Sequence, residues 1–167
     1  MRVINFILSS CIVVCFFCLN SCDHGIEPPK ENRLITGIEG TIFYSNWPPQ
    51  DSVILLKLVI FKDFPPVDIL SEVINGNAIV YPELLAETIP FGQDSFSFQV
   101  QLETGTYGYI AVAQQYGPDV FNDWRAVGQY DITPADSLPS SITVTQDSLL
   151  RNIDIFVDFN NLPIQPF

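Results

Sequence analysis

The chain has 167 residues, and its seven basic side chains against nineteen acidic ones give a formal net charge of −12, a size that suits one domain plus a short extra segment. At 47% apolar, 16% charged and 13% aromatic, the composition is not that of a disordered acidic tail, which is apolar-poor and charge-rich. The basic residues fall singly, without the Lys/Arg stripe that neutralises phosphates, so nucleic acid is excluded as an expected partner, and an anionic membrane surface repels the chain.

Residues 1–21 open with Arg2 as a positive start, followed by an apolar run from Val3 to Leu19 interrupted only by Asn5, Ser9 and Ser10. That is the shape of a secretory signal peptide. A transmembrane anchor is the competing reading, but spanning takes about 20 residues, and no basic stop-transfer cluster follows the run. The segment ends in Leu19-Asn20-Ser21-Cys22, which resembles the lipobox of bacterial lipoprotein precursors: an apolar residue, a small residue just before the cysteine, then the cysteine itself. The resemblance implies a diacylglyceryl group on the Cys22 sulfur, removal of residues 1–21 and an acylated new amino terminus. Several acyl chains at about 0.8 kcal/mol per buried CH₂ give lasting anchorage where one would be marginal. Cys11, Cys15, Cys18 and Cys22 all lie at or before the proposed cleavage point, so the domain is expected to fold without disulfides. Residues 22–33, polar, Pro-containing and aperiodic, read as a tether, and 34–167 as the domain.

From Leu34 onward the dominant period is two. Leu34, Thr36, Ile38, Ile42 and Tyr44 alternate with Glu39 and Thr41 in a first strand, where Gly37 and Gly40 suggest a bulge or a close approach. SVILLKLVIF (52–61) is apolar on both faces, as in a central strand covered on both sides, with Lys57 as the exception expected to snorkel. Asp68–Val73 and Pro82–Thr88 can each supply a helical turn, and Gly76-Asn77 a hairpin turn before Ala78–Tyr81. Phe96, Phe98, Val100 and Leu102 alternate with Ser95, Ser97, Gln99 and Gln101. GTYGYIAVAQ (105–114) reads as one strand after a Gly105 turn, followed by short strands at Trp124–Tyr130 and Ile142–Val144. The last strand turns Ile153, Ile155, Val157 and Phe159 inward and Asp154, Phe156 and Asp158 outward. About seven strands at short spacing predict an all-β fold, a single antiparallel β-sandwich with Greek-key connections of prealbumin or Ig-like type.

Three stretches, GIEGTIFYSNWPPQDSVILLKLVIF, SFSFQVQLETGTYGYIAVAQ and SSITVTQDSLLRNIDIFVDF, resemble the pattern of carboxypeptidase-regulatory-like, transthyretin-like domains. In those a Gly-containing strand leads through a proline loop to a second strand, and a Gly-x-Tyr turn joins two later ones. SNWPP stands where that family usually has a short Asp-containing turn. The resemblance implies a sandwich used as a stalk, binding module or interaction domain rather than an enzyme.

Candidate chemistry is thinned by elimination. The sole histidine, His24, sits in the tether and Cys22 is consumed by acylation, which removes Ser-His-Asp, Cys-His and His-based zinc sites from the expected domain. A two-carboxylate hydrolase stays open by composition alone, although no carboxylate pair stands out. Asp119, Asn122 and Asp123 on one loop, and Asp154, Asp158 and Asn160 at a strand end, are oxygen ligands without EF-hand spacing, weak metal candidates better read as solvated turn residues. No cofactor and no metal are therefore expected. Trp47-Pro48-Pro49-Gln50-Asp51 and Phe64-Pro65-Pro66-Val67-Asp68 repeat an aromatic-Pro-Pro-x-Asp pattern, separated by a strand that sets them roughly 30 Å apart, so they are expected to plug opposite ends of the fold. Tyr116, Asp123, Trp124 and Arg125 form the best single cluster: an aromatic plane, a forked donor and an acceptor on one loop. Together with Trp47 these are the candidate ligand- or partner-binding residues. The apolar C-terminal NLPIQPF is expected to pack on the domain. The expected function is that of a lipid-anchored, non-catalytic interaction or structural module of the bacterial cell envelope, on the outer membrane or cell surface, with an envelope protein or a glycan as partner. The alternative is a carbohydrate-binding accessory lipoprotein.

Overall fold

The computed structural model describes residues 35–166 apart from 84, 134, 135 and 137, all within the unit Leu34–Phe167. The expected signal segment, Cys22 and the tether lie outside the described residues, as does Phe167. In chain order the elements are β1 (Gly37–Ser45), the 3-10 turn Gln50–Ser52, β2 (Leu55–Phe61), α1 (Ile69–Ile74), β3 (Ala78–Tyr81), β4 (Ser95–Gln101), β5 (Gly105–Tyr107), β6 (Tyr109–Gln115), β7 (Trp124–Gln129), β8 (Ile142–Val144), β9 (Leu149–Leu150) and β10 (Ile155–Asp158).

The fold is all-β, but it is neither purely antiparallel nor a clean sandwich of about seven strands. One curled sheet has the order β3-β2-β6-β7-β10-β1-β4, with β9 also on β1, and β5-β8 form a small second sheet. β1 runs parallel to both β9 and β10, because the end of the domain returns alongside its first strand in the same direction. Side-chain alternation says which face a strand buries and is silent on the direction of its neighbour.

Inward residues from all parts of the curl meet in one core that includes Ile38, Ile42, Leu56, Leu58, Ile60, Val100, Ile110, Val112, Ile155 and Val157. β2 and β6 are covered on the other face too, as the apolar run 52–61 predicts: Val59, Phe61, Tyr109, Ala111 and Ala113 form a second cluster with Ile69 of α1. Lys57 lies on that outer face and does not snorkel. It is 1% exposed, and its Nζ donates to the carbonyls of Glu83, Ala86 and Glu87 at 3.0, 3.1 and 3.2 Å. An ammonium group is tolerated in such a place because its donors are answered; burial still pushes its pKa down.

The segment 62–94 contains α1 rather than a hairpin turn. Asp68 caps the helix by accepting from Ser71 N–H at 2.7 Å. Gly76, at φ +73°, closes it: Gly76 N–H donates to the Val73 carbonyl and Asn77 N–H to that of Glu72, the two bonds of a Schellman motif. The chain then enters β3, antiparallel to β2. GTYGYIAVAQ is broken at Gly108, whose N–H donates to the Lys62 carbonyl at 3.0 Å and where a Cβ would crowd Lys62 and Phe64 backbone atoms at 3.2 Å. The break passes the chain from the small sheet (β5) to the large one (β6).

Candidate functional site

The loop between β6 and β7 brings together four of the five candidate residues. Tyr116 is 44% exposed, and the Arg125 guanidinium lies over its ring, 5.4 Å from the centroid. Arg125 Nε donates to Gln114 Oε1 at 2.9 Å, while Gln114 Nε2 donates to the Ser52 carbonyl at 2.7 Å. A fully buried glutamine thus ties the arginine to the loop that leads into β2. Asp123 is not the partner of Arg125. Its Oδ2 accepts from Asp119 N–H at 2.8 Å, and the Asp119 carboxylate accepts from the Asn122 amide at 2.8 Å and from the backbone N–H of Phe121 at 2.9 Å. The Asn122 bond first, then that of Phe121, holds Asp119 below its ordinary acid range. The weak metal candidates Asp119, Asn122 and Asp123 therefore satisfy one another and shape the turn. The Trp124 indole N–H donates to the Val120 carbonyl at 2.9 Å. Its ring lines the space under α1 with Ile69, Val73 and Val80, where only about 10 Å³ remains, about the least that holds one water. Trp124 is a cover for the outer core.

Trp47 is a packing residue as well. Its ring lies against Tyr44 (4.7 Å), Phe91 (4.7 Å) and Phe159 (4.8 Å), and its N–H donates to the Gln93 carbonyl at 2.9 Å. The aromatic of the second proline motif, Phe64, packs on Tyr109 at 5.3 Å. The two motifs flank β2 on opposite sides, so they share no site. The C-terminal segment packs back as expected: the Gln165 amide accepts from Ala126 N–H at 2.8 Å and donates to the Ala126 carbonyl at 3.0 Å, acting as a neighbouring strand would.

A second surface was not singled out by its sequence. The outer face of β2, β6 and β7 lies under α1, Trp124 and the C-terminal segment, but among the described residues no element covers the outer face of β4, β1 and β10. There the register pairs Phe43 with Phe156. Their rings stack at 5.2 Å and 15°, and Phe156 is 73% exposed. Between β9 and β10 the chain bulges: Ile38 pairs with Leu150 but Ile42 with Ile155, one residue more on the second strand. Gly40 makes room for the bulge, since any Cβ there would land on the Ile153 carbonyl. Asp154 fills the gap in the ladder by accepting from Thr41 N–H at 3.0 Å. The bulge leaves a polar groove of about 430 Å³ lined by Glu39, Thr41, Ser97, Gln99, Asn152 and Asp154. The signal for this face was present in the alternation: Phe43 and Phe156 hold outward positions between inward Ile42 and Tyr44, and Ile155 and Val157.

No group of three or more His, Cys, Asp or Glu side chains among the described residues is arranged to hold a metal ion, and no described helix is long and apolar enough to cross a membrane. No family model, curated protein or solved structure matches the chain.

Proposed function

We propose that this chain is a lipid-anchored protein of the bacterial cell envelope, held through Cys22 in the outer membrane or at the cell surface, whose β domain performs no reaction of its own and works as an interaction or structural module. The resemblance to carboxypeptidase-regulatory-like, transthyretin-like domains, which serve as stalks and interaction modules, belongs to the same proposal. The observation that supports the interaction reading best is the uneven covering of the curled sheet: one half of its outer face is packed, while the other half presents the stacked pair Phe43 and Phe156 amid polar side chains. Exposed aromatics of this kind mark contact surfaces. A photo-crosslinking phenylalanine analogue placed at position 156 of the full chain in living cells is expected to give a discrete adduct with one envelope component. The same analogue at Leu85, 99% exposed, serves as control; equal, diffuse labelling from both positions overturns the reading.

A carbohydrate-binding accessory lipoprotein is the second reading, favoured by Tyr116, which keeps an exposed ring beside a forked donor.

A further inference from the structure

We propose that the outer face of β4, β1 and β10 binds a basic polypeptide segment, with an arginine or lysine side chain laid over Phe156 between Asp154 and Asp158; this rests on the interaction reading above and names the partner's chemistry. Asp154, just before β10, and Phe156 and Asp158 within it alternate with buried Ile155 and Val157, so the three stand on one side at steps of about 7 Å. Phe156 is 73% exposed and stacks on Phe43 of β1, which makes the centre of the row aromatic and two rings wide. Each end of the row opens into a groove of about 430 Å³, one lined by Asp154 with Glu39, the other by Asp158 with Asp131.

Charge selects the occupant. Asp158 accepts from the Asn46 amide at 2.8 Å and from Asn160 N–H at 2.9 Å, Asp154 from Thr41 N–H at 3.0 Å, and Asp131 from Thr133 N–H at 2.8 Å. All these donors are neutral: they steady the negative charge of a carboxylate and cancel none of it. The Asn46 bond first, then that of Asn160, holds Asp158 below its ordinary acid range. Four basic residues follow position 33, and the one on this face, Arg151, is paired with Glu39 at 2.7 Å. Of the others, Lys57 is enclosed by carbonyls, Lys62 donates to the Gly76 carbonyl and Arg125 lies over Tyr116. Among the described residues, Asp131, Asp154 and Asp158 thus have no cation against them, in a chain of net charge −12. A phosphate, a uronate or another acidic surface is repelled. Asp154 and Asp158, about 13 Å apart along the strand, are too far apart to share one metal ion. What fits is a cation on an apolar stem: arginine or lysine lays its methylenes and charge on the ring, while the carboxylates on either side take its N–H donors. An extended chain repeats its side chains on one face at the same step of about 7 Å, so a segment with basic residues at alternate positions meets the row in step.

The test is a fluorescence-anisotropy titration of the full chain, in a neutral detergent, with labelled short peptides that alternate Arg or Lys with Ser; peptides alternating Gln or Glu with Ser are the uncharged and acidic arms. The two basic peptides are expected to bind and to weaken as salt rises, and the other two not to bind. The double variant Asp154→Asn, Asp158→Asn keeps an accepting oxygen at each place, so it is expected to stay folded by circular dichroism and to weaken basic-peptide binding roughly tenfold or more. Phe156→Ala is expected to weaken it roughly several-fold. Asp63→Asn with Glu87→Asn removes the same charge from exposed positions elsewhere and is expected to change binding by less than about twofold. Equal loss in the two double variants overturns the site, because attraction by net charge alone then accounts for the binding, and full binding by Phe156→Ala overturns the placement over that ring. No binding of either basic peptide, together with a discrete crosslink from position 156 in cells, overturns the cationic partner and keeps the interaction reading; no binding with diffuse crosslinking overturns both.

Discussion

Lys57 is the residue whose role depends most on distant parts of the chain. Its three acceptors come from residues 26 to 30 positions further on, and it holds the irregular segment after β3 against the sheet. Lys57→Met keeps the apolar stem and removes the donors, leaving three carbonyls without them. Hydrogen bonds from a charged group are worth about 1.5–3 kcal/mol, part of which is offset by the relieved cost of burying the ammonium. A loss of about 1–3 kcal/mol in denaturant unfolding is therefore expected, and unchanged stability would show that the clasp contributes nothing. In sequence Lys57 is only a polar interruption in an apolar run. Which carbonyls would meet it could not be read from neighbours along the strand, since no local pattern encodes a contact with residues 83–87.

At the scale of elements, α1 shows how a short helix is held by its ends. Six residues are too few to be stable alone, so the Asp68 cap, the Gly76 terminus and the burial of Ile69 carry it. The Ser71 bonds, backbone first, keep the Asp68 carboxyl below its ordinary range. A carboxylate whose folded pKa is depressed adds stability that is present above its unfolded pKa and is lost as pH falls through the folded one. The thermal midpoint is thus expected to be flat above about pH 5 and to fall below about pH 4, with Asp119 and Asp158, also lowered, contributing to the decline. Asp68→Asn keeps an acceptor for Ser71 N–H and cannot titrate, so it should show a shallower acid slope; an identical slope would remove Asp68 from the account. The sequence offered helical turns at Asp68–Val73 and Pro82–Thr88 alike, without a full amphipathic period in either, and the structure places a helix at the first. Gly76-Asn77 was misread because the same dipeptide serves a hairpin or a helix terminus, and only the bonds back to Glu72 and Val73 distinguish them.

For the whole molecule, the decisive experiment on the anchor concerns Cys22. Cys22→Ala is expected to leave a precursor that retains residues 1–21 and takes up no labelled fatty acid; normal processing and acylation of the variant would refute the lipoprotein proposal. The candidate site shows the same division between local and global information. Tyr116, Asp123, Trp124 and Arg125 are neighbours in sequence and so were found together, yet the fold assigns Trp124 to covering the core and Asp123 to shaping a turn. Phe43 and Phe156, far apart in sequence, meet through the pairing of β1 with β10.

Composition and alternation by themselves determined that this domain is all-β, which side chains of β1, β4 and β10 face inward, and that β2 is buried on both faces, because burial of apolar side chains on a pleated strand is a local, period-two property. Tertiary structure alone decided the parallel return of β10 beside β1, the bulge opposite Gly40, the carbonyl clasp on Lys57 and the aromatic face around Phe156. Each of these depends on which strand lies next to which. That choice is made by the packing of the whole core, not by any segment on its own.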